Sequence, residues 1–127
     1  MFDGGSKGNP GPSYGSYKIS PWGGEPETIA RMHFGRGTNN EAEYLSLIAA
    51  LRSLRAFLHG NGQELSQSGV EIRGDSQLVL RQVGGKWKAK DSRMRALRDE
   101  AESLLRGFGK VSLIEQPRER TVEALGH

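Results

Sequence analysis

The sequence predicts a mixed α/β layer in which helices cover a five-stranded sheet. Three observations point there. The first 40 residues alternate apolar and polar positions at period two between turns. Residues 41 to 58 switch to a period of three to four, and the remainder alternates short apolar runs with helical patterns.

The elements follow in order. An opening strand ends at Asp3, before the glycine- and proline-rich run Gly4 to Pro12. Tyr14 to Ile19 and Thr28 to Phe34 alternate at period two on either side of a turn at Pro21 to Pro26, which makes three antiparallel strands. Tyr44, Leu47, Leu51, Leu54 and Leu58 then recur every three or four residues, the apolar stripe of a helix over 41–58. Thr38 and Asn39 are its N-cap candidates, and Glu41 places negative charge where the helix dipole favours it. Val70 to Gly74 is a short strand that stops at Asp75, and a helix carrying Leu78, Val79 and Val83 starts at once and breaks at Gly84-Gly85. A third helix fits 91–106, with Met94, Leu97, Ala101, Leu104 and Leu105 on one face; Val111 to Ile114 is a last strand, and a terminal helix follows Pro117.

Length and composition bound the function. The 127 residues suit one domain spanning 1–127. Zero cysteines exclude a disulfide framework, a thiol nucleophile and a Cys-ligated metal. The start has no apolar run after a basic one, and no stretch approaches the ~20 apolar residues of a membrane span, so a cytoplasmic protein without a membrane partner is expected. The formal charge of +3 is mild, and its distribution matters more than its sum.

Three acids stand where an element ends or a helix begins. Asp3 closes the first strand, Asp75 closes the Val70 to Gly74 strand, and Glu43 lies near the start of the long helix. If the two strands are neighbours and the helix start sits above them, the three carboxylates meet. Such a group cannot stay fully ionised in a dry site without a cation, and its all-oxygen chemistry selects Mg²⁺ or Mn²⁺. Each acid alone reads equally as a cap or a solvated turn. The glycine-rich run matches neither the Walker pattern nor the dinucleotide fingerprint, and by itself reads as a tight connection.

Lys86, Lys88, Lys90, Arg93, Arg95 and Arg98 stand within thirteen residues that hold one acid, Asp91, and one aromatic, Trp87, a local charge of +5. This suits a phosphate backbone with a sugar or base to stack on, or else a solvated helix face. Acids to hold metal beside bases to hold phosphate describe metal-dependent cleavage of a nucleic acid. His33, His59 and His127 are too scattered to share a site, and Ser6 has no base partner, so a hydrolase triad is not supported.

On these residues the chain resembles the type 1 ribonucleases H, which cut the RNA strand of RNA–DNA hybrids. Phe2-Asp3-Gly4-Gly5-Ser6 with Gly8 to Pro12 is similar to that family's opening strand and turn, Thr38 to Glu43 to its helix start, and Asp75 to Val79 to its fourth-strand motif. The run Gln82 to Lys90 resembles members with a short connection between the middle helices, lacking the basic handle helix of some relatives. The resemblance implies a ribonuclease H-like fold, with Asp3, Glu43 and Asp75 as catalytic, metal-binding carboxylates. It implies two Mg²⁺ ions, with Mn²⁺ as substitute, and products with 5′-phosphate and 3′-hydroxyl ends. It further implies that Ser6, Asn9, Asn39, Asn40 and Gln77 meet the hybrid's minor groove and RNA 2′-hydroxyls, that Thr38 belongs to a DNA-phosphate pocket, and that Trp87 packs on a DNA sugar. The partner is then an RNA–DNA hybrid, with double-stranded RNA as a further candidate, and the protein acts as a monomer.

The departures lie at the two ends. Family members carry several apolar residues before the first Asp, where this chain has Met1 and Phe2. After Pro117-Arg118-Glu119 the family pattern expects an Asn and, four residues on, a fourth catalytic Asp. Those positions hold Thr121 and Leu125. Leucine cannot bind a metal, and Glu123, the only nearby acid, lies about 200° around the helix from Leu125. Weakened metal binding is expected, and the alternative function is a catalytically impaired module that binds hybrid or double-stranded RNA. A transposase-like or integrase-like nuclease of the same fold fits the Gly8 to Pro12 and Thr38 to Asn40 motifs less well.

Overall fold

A computed structural model describes residues 1–22 and 26–126. Ten elements follow one another: strands β1 (Phe2–Ser6), β2 (Gly11–Ile19) and β3 (Thr28–Gly37), helix α1 (Asn39–Gly60), a single 3₁₀ turn (Leu65–Gln67), β4 (Gly69–Gly74), α2 (Gln77–Val83), α3 (Ser92–Leu105), β5 (Lys110–Glu115) and α4 (Arg118–Leu125). The expected order of strands and helices is present. The turn expected at Pro21 to Pro26 lies partly outside the described residues, as does His127.

β1 does not end at Asp3 but continues through Gly4 and Gly5 to Ser6, paired antiparallel to β2 from Phe2 opposite Tyr17 to Ser6 opposite Ser13. The glycines read as a turn, yet packing demands them. A Cβ on Gly4 would stand 2.4 Å from the carbonyl of Ala42, so the strand backbone lies directly on that of α1. β2 and β3 are likewise longer than their alternating cores, extending to Gly11 and Gly37.

The ladders do not join into one five-stranded sheet. Among the described residues β1, β2 and β3 form a three-stranded antiparallel sheet, and β4 with β5 a two-stranded parallel one. β1 and β4 meet without a shared ladder, and the Phe2 ring packs over Gly74, 2.8 Å from where a Cβ there would stand.

α1 begins as its sequence directs. Thr38 is the N-cap, its hydroxyl accepts the Glu41 N–H, and the Glu41 carboxylate accepts the Thr38 N–H, a closed capping box. The helix covers one face of the three-stranded sheet and buries Tyr44, Leu47, Ile48 and Leu51 with Phe2, Tyr17, Ile72, Val79 and Leu97 in a single core. Asp91 is the N-cap of α3, accepting from the N–H groups of Arg93 and Met94, which explains the lone acid in the basic run. α4 lies on the opposite face of the sheet. Gly4 of β1 faces α1, the adjacent Asp3 meets Arg118 of α4, and Arg31 of β3 donates to the Leu125 carbonyl at 3.0 Å.

Candidate active site

Three elements deliver three carboxylates to one point. Asp3 sits second in β1, Asp75 directly follows β4, and Glu43 is the fifth residue of α1, held at this depth by the close contact between Gly4 and the helix backbone. One oxygen from each of Asp3, Glu43 and Asp75 lies within 4.8 Å of the others, the convergence expected from the sequence. Asp3 is fully buried, and Glu43 and Asp75 are half-buried.

The charge of this group is not balanced by carboxylates alone. Burial, reinforced by the charges of Asp3 and Asp75, pushes the Glu43 carboxyl up to about 9, against a hydrogen bond from the Gly4 backbone. Its Oε2 is buried without a hydrogen-bond partner. Arg118, the first residue of α4, supplies the compensating charge: its Nη1 lies 3.1 Å from Asp75 Oδ2 and 3.4 Å from Asp3 Oδ1. A guanidinium thus bridges the carboxylates, and both acids, Asp3 first, hold it firmly protonated. Arg118 has no counterpart in the sequence-based list of site residues. The available signal was a basic residue opening a helix just after a strand, and its use depends on β5 running parallel beside β4.

An orphaned buried carboxylate oxygen, a raised carboxyl and an exclusively oxygen donor set fit a hard divalent cation, which would displace the Glu43 proton and compete with Arg118. α4 adds no fourth acid. Leu125 is buried at the position in question, and Glu123 points to solvent outside the three-acid group.

Beside the acids stands a polar lip. The Asn39 side-chain oxygen accepts the Ser6 N–H at 2.7 Å and the Ser6 hydroxyl at 3.2 Å, and the Asn39 N–H donates to Asn9 Oδ1 at 3.0 Å. Ser6, Asn9 and Asn39 are therefore locked together, joining the β1–β2 turn to the start of α1. Asn40, beside Asn39, and Gln77, two residues after Asp75, are exposed. Thr38 spends its hydroxyl on the capping box. Trp87 is exposed in the loop after α2, with the Arg81 guanidinium 5.0 Å from its ring centre. Lys86, Lys88, Lys90, Arg93 and Arg95 around it are exposed as well, Arg93 paired with Glu41 at 3.2 Å and the half-buried Arg98 with Asp99 at 2.9 Å.

The family described as reverse transcriptase-like matches residues 2–125. The ribonuclease HI of Halobacterium salinarum is 39% identical over 117 residues, which are 92% of this chain and 55% of that protein. The bifunctional protein Rv2228c of Mycobacterium tuberculosis is 34% identical over 125 residues, 96% of this chain and 32% of that protein. The chain therefore spans about half or less of the length of these relatives. Among solved structures, RNase H1 from Halobacterium salinarum superposes with a TM-score of 0.83 at 38% identity, over 98% of this chain and 89% of that one. LC11-RNase H1 in complex with an RNA/DNA hybrid gives a TM-score of 0.85 at 30% identity, over 98% and 89%. With a family match from end to end and a solved relative aligned over nearly all of both chains, this protein belongs to the reverse transcriptase-like family and is a homologue of the type 1 ribonucleases H within it.

Proposed function

We propose that the chain is a metal-dependent endonuclease that hydrolyses the RNA strand of RNA–DNA hybrids. The convergence of Asp3, Glu43 and Asp75 on one point carries the reading. A relative solved with an RNA/DNA hybrid supports the choice of substrate. We also read the two ladders as one five-stranded sheet lacking its hydrogen-bonded seam between β1 and β4.

Asp3, Glu43 and Asp75 would hold two Mg²⁺ ions, or Mn²⁺ in their place, which supply an activated water for in-line attack and stabilise the leaving 3′-oxygen, giving 5′-phosphate and 3′-hydroxyl ends. The protein's own residues do the rest. Glu43 gives up its proton to become a ligand, and Gly4 steadies the resulting carboxylate. Arg118, released from Asp3 and Asp75, remains beside the site as a positive group for the scissile phosphate. Ser6, Asn9 and Asn39, fixed by their mutual hydrogen bonds, offer donors and acceptors to the minor groove, with Asn40 and Gln77 beside them. The 2′-hydroxyl is what such groups read to tell RNA from DNA. Thr38 contributes to a DNA-phosphate pocket through the N-terminal end of α1, Trp87 stacks on a DNA sugar, and the lysines around it track the phosphates.

Incubating the protein with a hybrid labelled on its RNA strand in Mg²⁺ or Mn²⁺ tests the proposal. Metal-dependent cleavage is expected; no cleavage above an Asp75→Asn control in either metal would sink it. One observation favours a second reading: buried Leu125 leaves α4 without an acid at the site. An impaired module would bind hybrid or double-stranded RNA in a steeply salt-dependent way without turnover.

A further inference from the structure

Two buried side-chain atoms among the described residues have no hydrogen-bond partner, Glu43 Oε2 and Gln116 Oε1. The first belongs to the three-acid group. The second is its neighbour by strand register. β5 runs parallel to β4 with Glu115 opposite Gly74, and the Gln116 N–H donates to the Gly74 carbonyl at 2.9 Å, so Gln116 stands alongside Asp75.

The Gln116 side chain is 7% exposed, and its amide nitrogen donates to Thr121 Oγ1 at 3.0 Å. Thr121 is fully buried on α4, one turn after Arg118, whose guanidinium reaches Asp3 and Asp75. Gln116 is thus pinned between the end of β5 and the α4 face that carries Arg118. Turning the amide over does not relieve it: the carbonyl would then accept from the threonine hydroxyl and leave the NH₂ group without an acceptor. A buried polar atom left unmatched in either orientation needs an explanation, and an ion or water bound beside it supplies one.

The nearby chemistry says which. The three carboxylates leave a two-ion centre short of oxygen donors, while Leu125 is apolar and Glu123 faces solvent. The oxygen donors that hard divalent ions take include amide carbonyls as well as carboxylates and water.

We propose that Gln116 replaces the missing fourth acid, its amide oxygen completing the shell of the ion held at Asp75, directly or through one bound water. Thr121 holds the amide so that the nitrogen is used and the oxygen is left free. The donor is neutral, so it adds no repulsion to Asp3, Glu43 and Asp75 and attracts the ion less strongly than a carboxylate does. The inference rests on the metal-dependent reading above.

Its test is Mn²⁺ binding to the full chain, followed by titration calorimetry and by the loss of the free-ion Mn²⁺ resonance signal, with thermal unfolding in chelator alongside. Gln116→Met should weaken the affinity of one ion about tenfold or remove it from the stoichiometry. Its melting temperature in chelator reports separately on the loss of the buried Gln116–Thr121 hydrogen bond. Gln116→Glu should bind that ion more tightly than the wild type. Unchanged Mn²⁺ affinity and stoichiometry in both variants would overturn the proposal, as would a Gln116→Met protein that melts lower in chelator but binds both ions normally. A wild type that binds no more Mn²⁺ than Asp75→Asn would overturn the metal-centre reading itself, whereas binding lost in Asp75→Asn but intact in Gln116→Met overturns the role of Gln116 alone.

Discussion

The guanidinium of Arg118 lies 3.1 Å from Oδ2 of Asp75, and the same nitrogen reaches Asp3 at 3.4 Å. Without divalent metal this contact is what offsets the charge of three crowded carboxylates. Arg118→Ala should therefore lower the melting temperature in chelator by a few degrees. More than half of the arginine side chain is exposed, so about 1 kcal/mol is the scale. Saturating Mg²⁺ should erase the deficit, and the variant should bind Mg²⁺ more tightly because no guanidinium competes. An equal deficit with and without metal would show Arg118 to be a structural tie only.

The raised Glu43 carboxyl makes stability and metal binding depend on pH. Its folded value of about 9 stands above the ordinary 4.5, so the folded protein binds the extra proton between these values. In chelator this contribution is fully present below about pH 4.5 and is lost as pH rises towards 9. The Met1 ammonium, pushed down to about 6 mainly by burial, works in the opposite sense between 6 and 8, so the comparison needs Glu43→Gln, in which the Glu43 slope should disappear. Calorimetry in buffers of different ionisation enthalpy should detect about one proton released per protein on Mg²⁺ binding at pH 7, falling to none above about pH 9.

Leu125 is buried where the family pattern carries a carboxylate. Leu125→Asp should cost the metal-free protein about 2–5 kcal/mol, from lost packing and an added buried charge. It should also tighten ion binding and raise turnover in Mg²⁺ relative to Mn²⁺. Unchanged activity and unchanged metal dependence would contradict the view that this position limits the site.

Asn39 ties the β1–β2 turn to α1 through Ser6 and Asn9. Asn39→Ala removes the acceptor used by Ser6 but keeps the backbone donor to Asn9, and should cost about 0.5–1.5 kcal/mol of stability. It should raise the KM for hybrid more than it lowers kcat, and narrow the preference for hybrid over DNA duplex. Steady-state kinetics on the two duplexes checks this.

How much was legible in the sequence follows from which contacts are local. The period of Tyr44 to Leu58 and the Thr38–Glu41 capping box fix α1 within a few residues, and acids at element ends mark the site. Gly4 and Gly5 misled, because a glycine needed for close approach to a helix looks the same in sequence as one needed for a turn. The separation of the two ladders, and the parallel register that sets Arg118 and Gln116 beside Asp75, depend on pairings between distant segments that no local pattern records. Leu125 was readable only against the resemblance, since a leucine on the buried face of a helix is otherwise unremarked.

The most direct measurement is cleavage of a hybrid labelled on both strands, in Mg²⁺ and in Mn²⁺, by the wild type and by Asp75→Asn. Cuts are expected in the RNA strand alone, leaving 5′-phosphate and 3′-hydroxyl ends, and are expected to be lost in Asp75→Asn. Cleavage of the DNA strand, or RNA cleavage that persists in Asp75→Asn or in chelator, would contradict it.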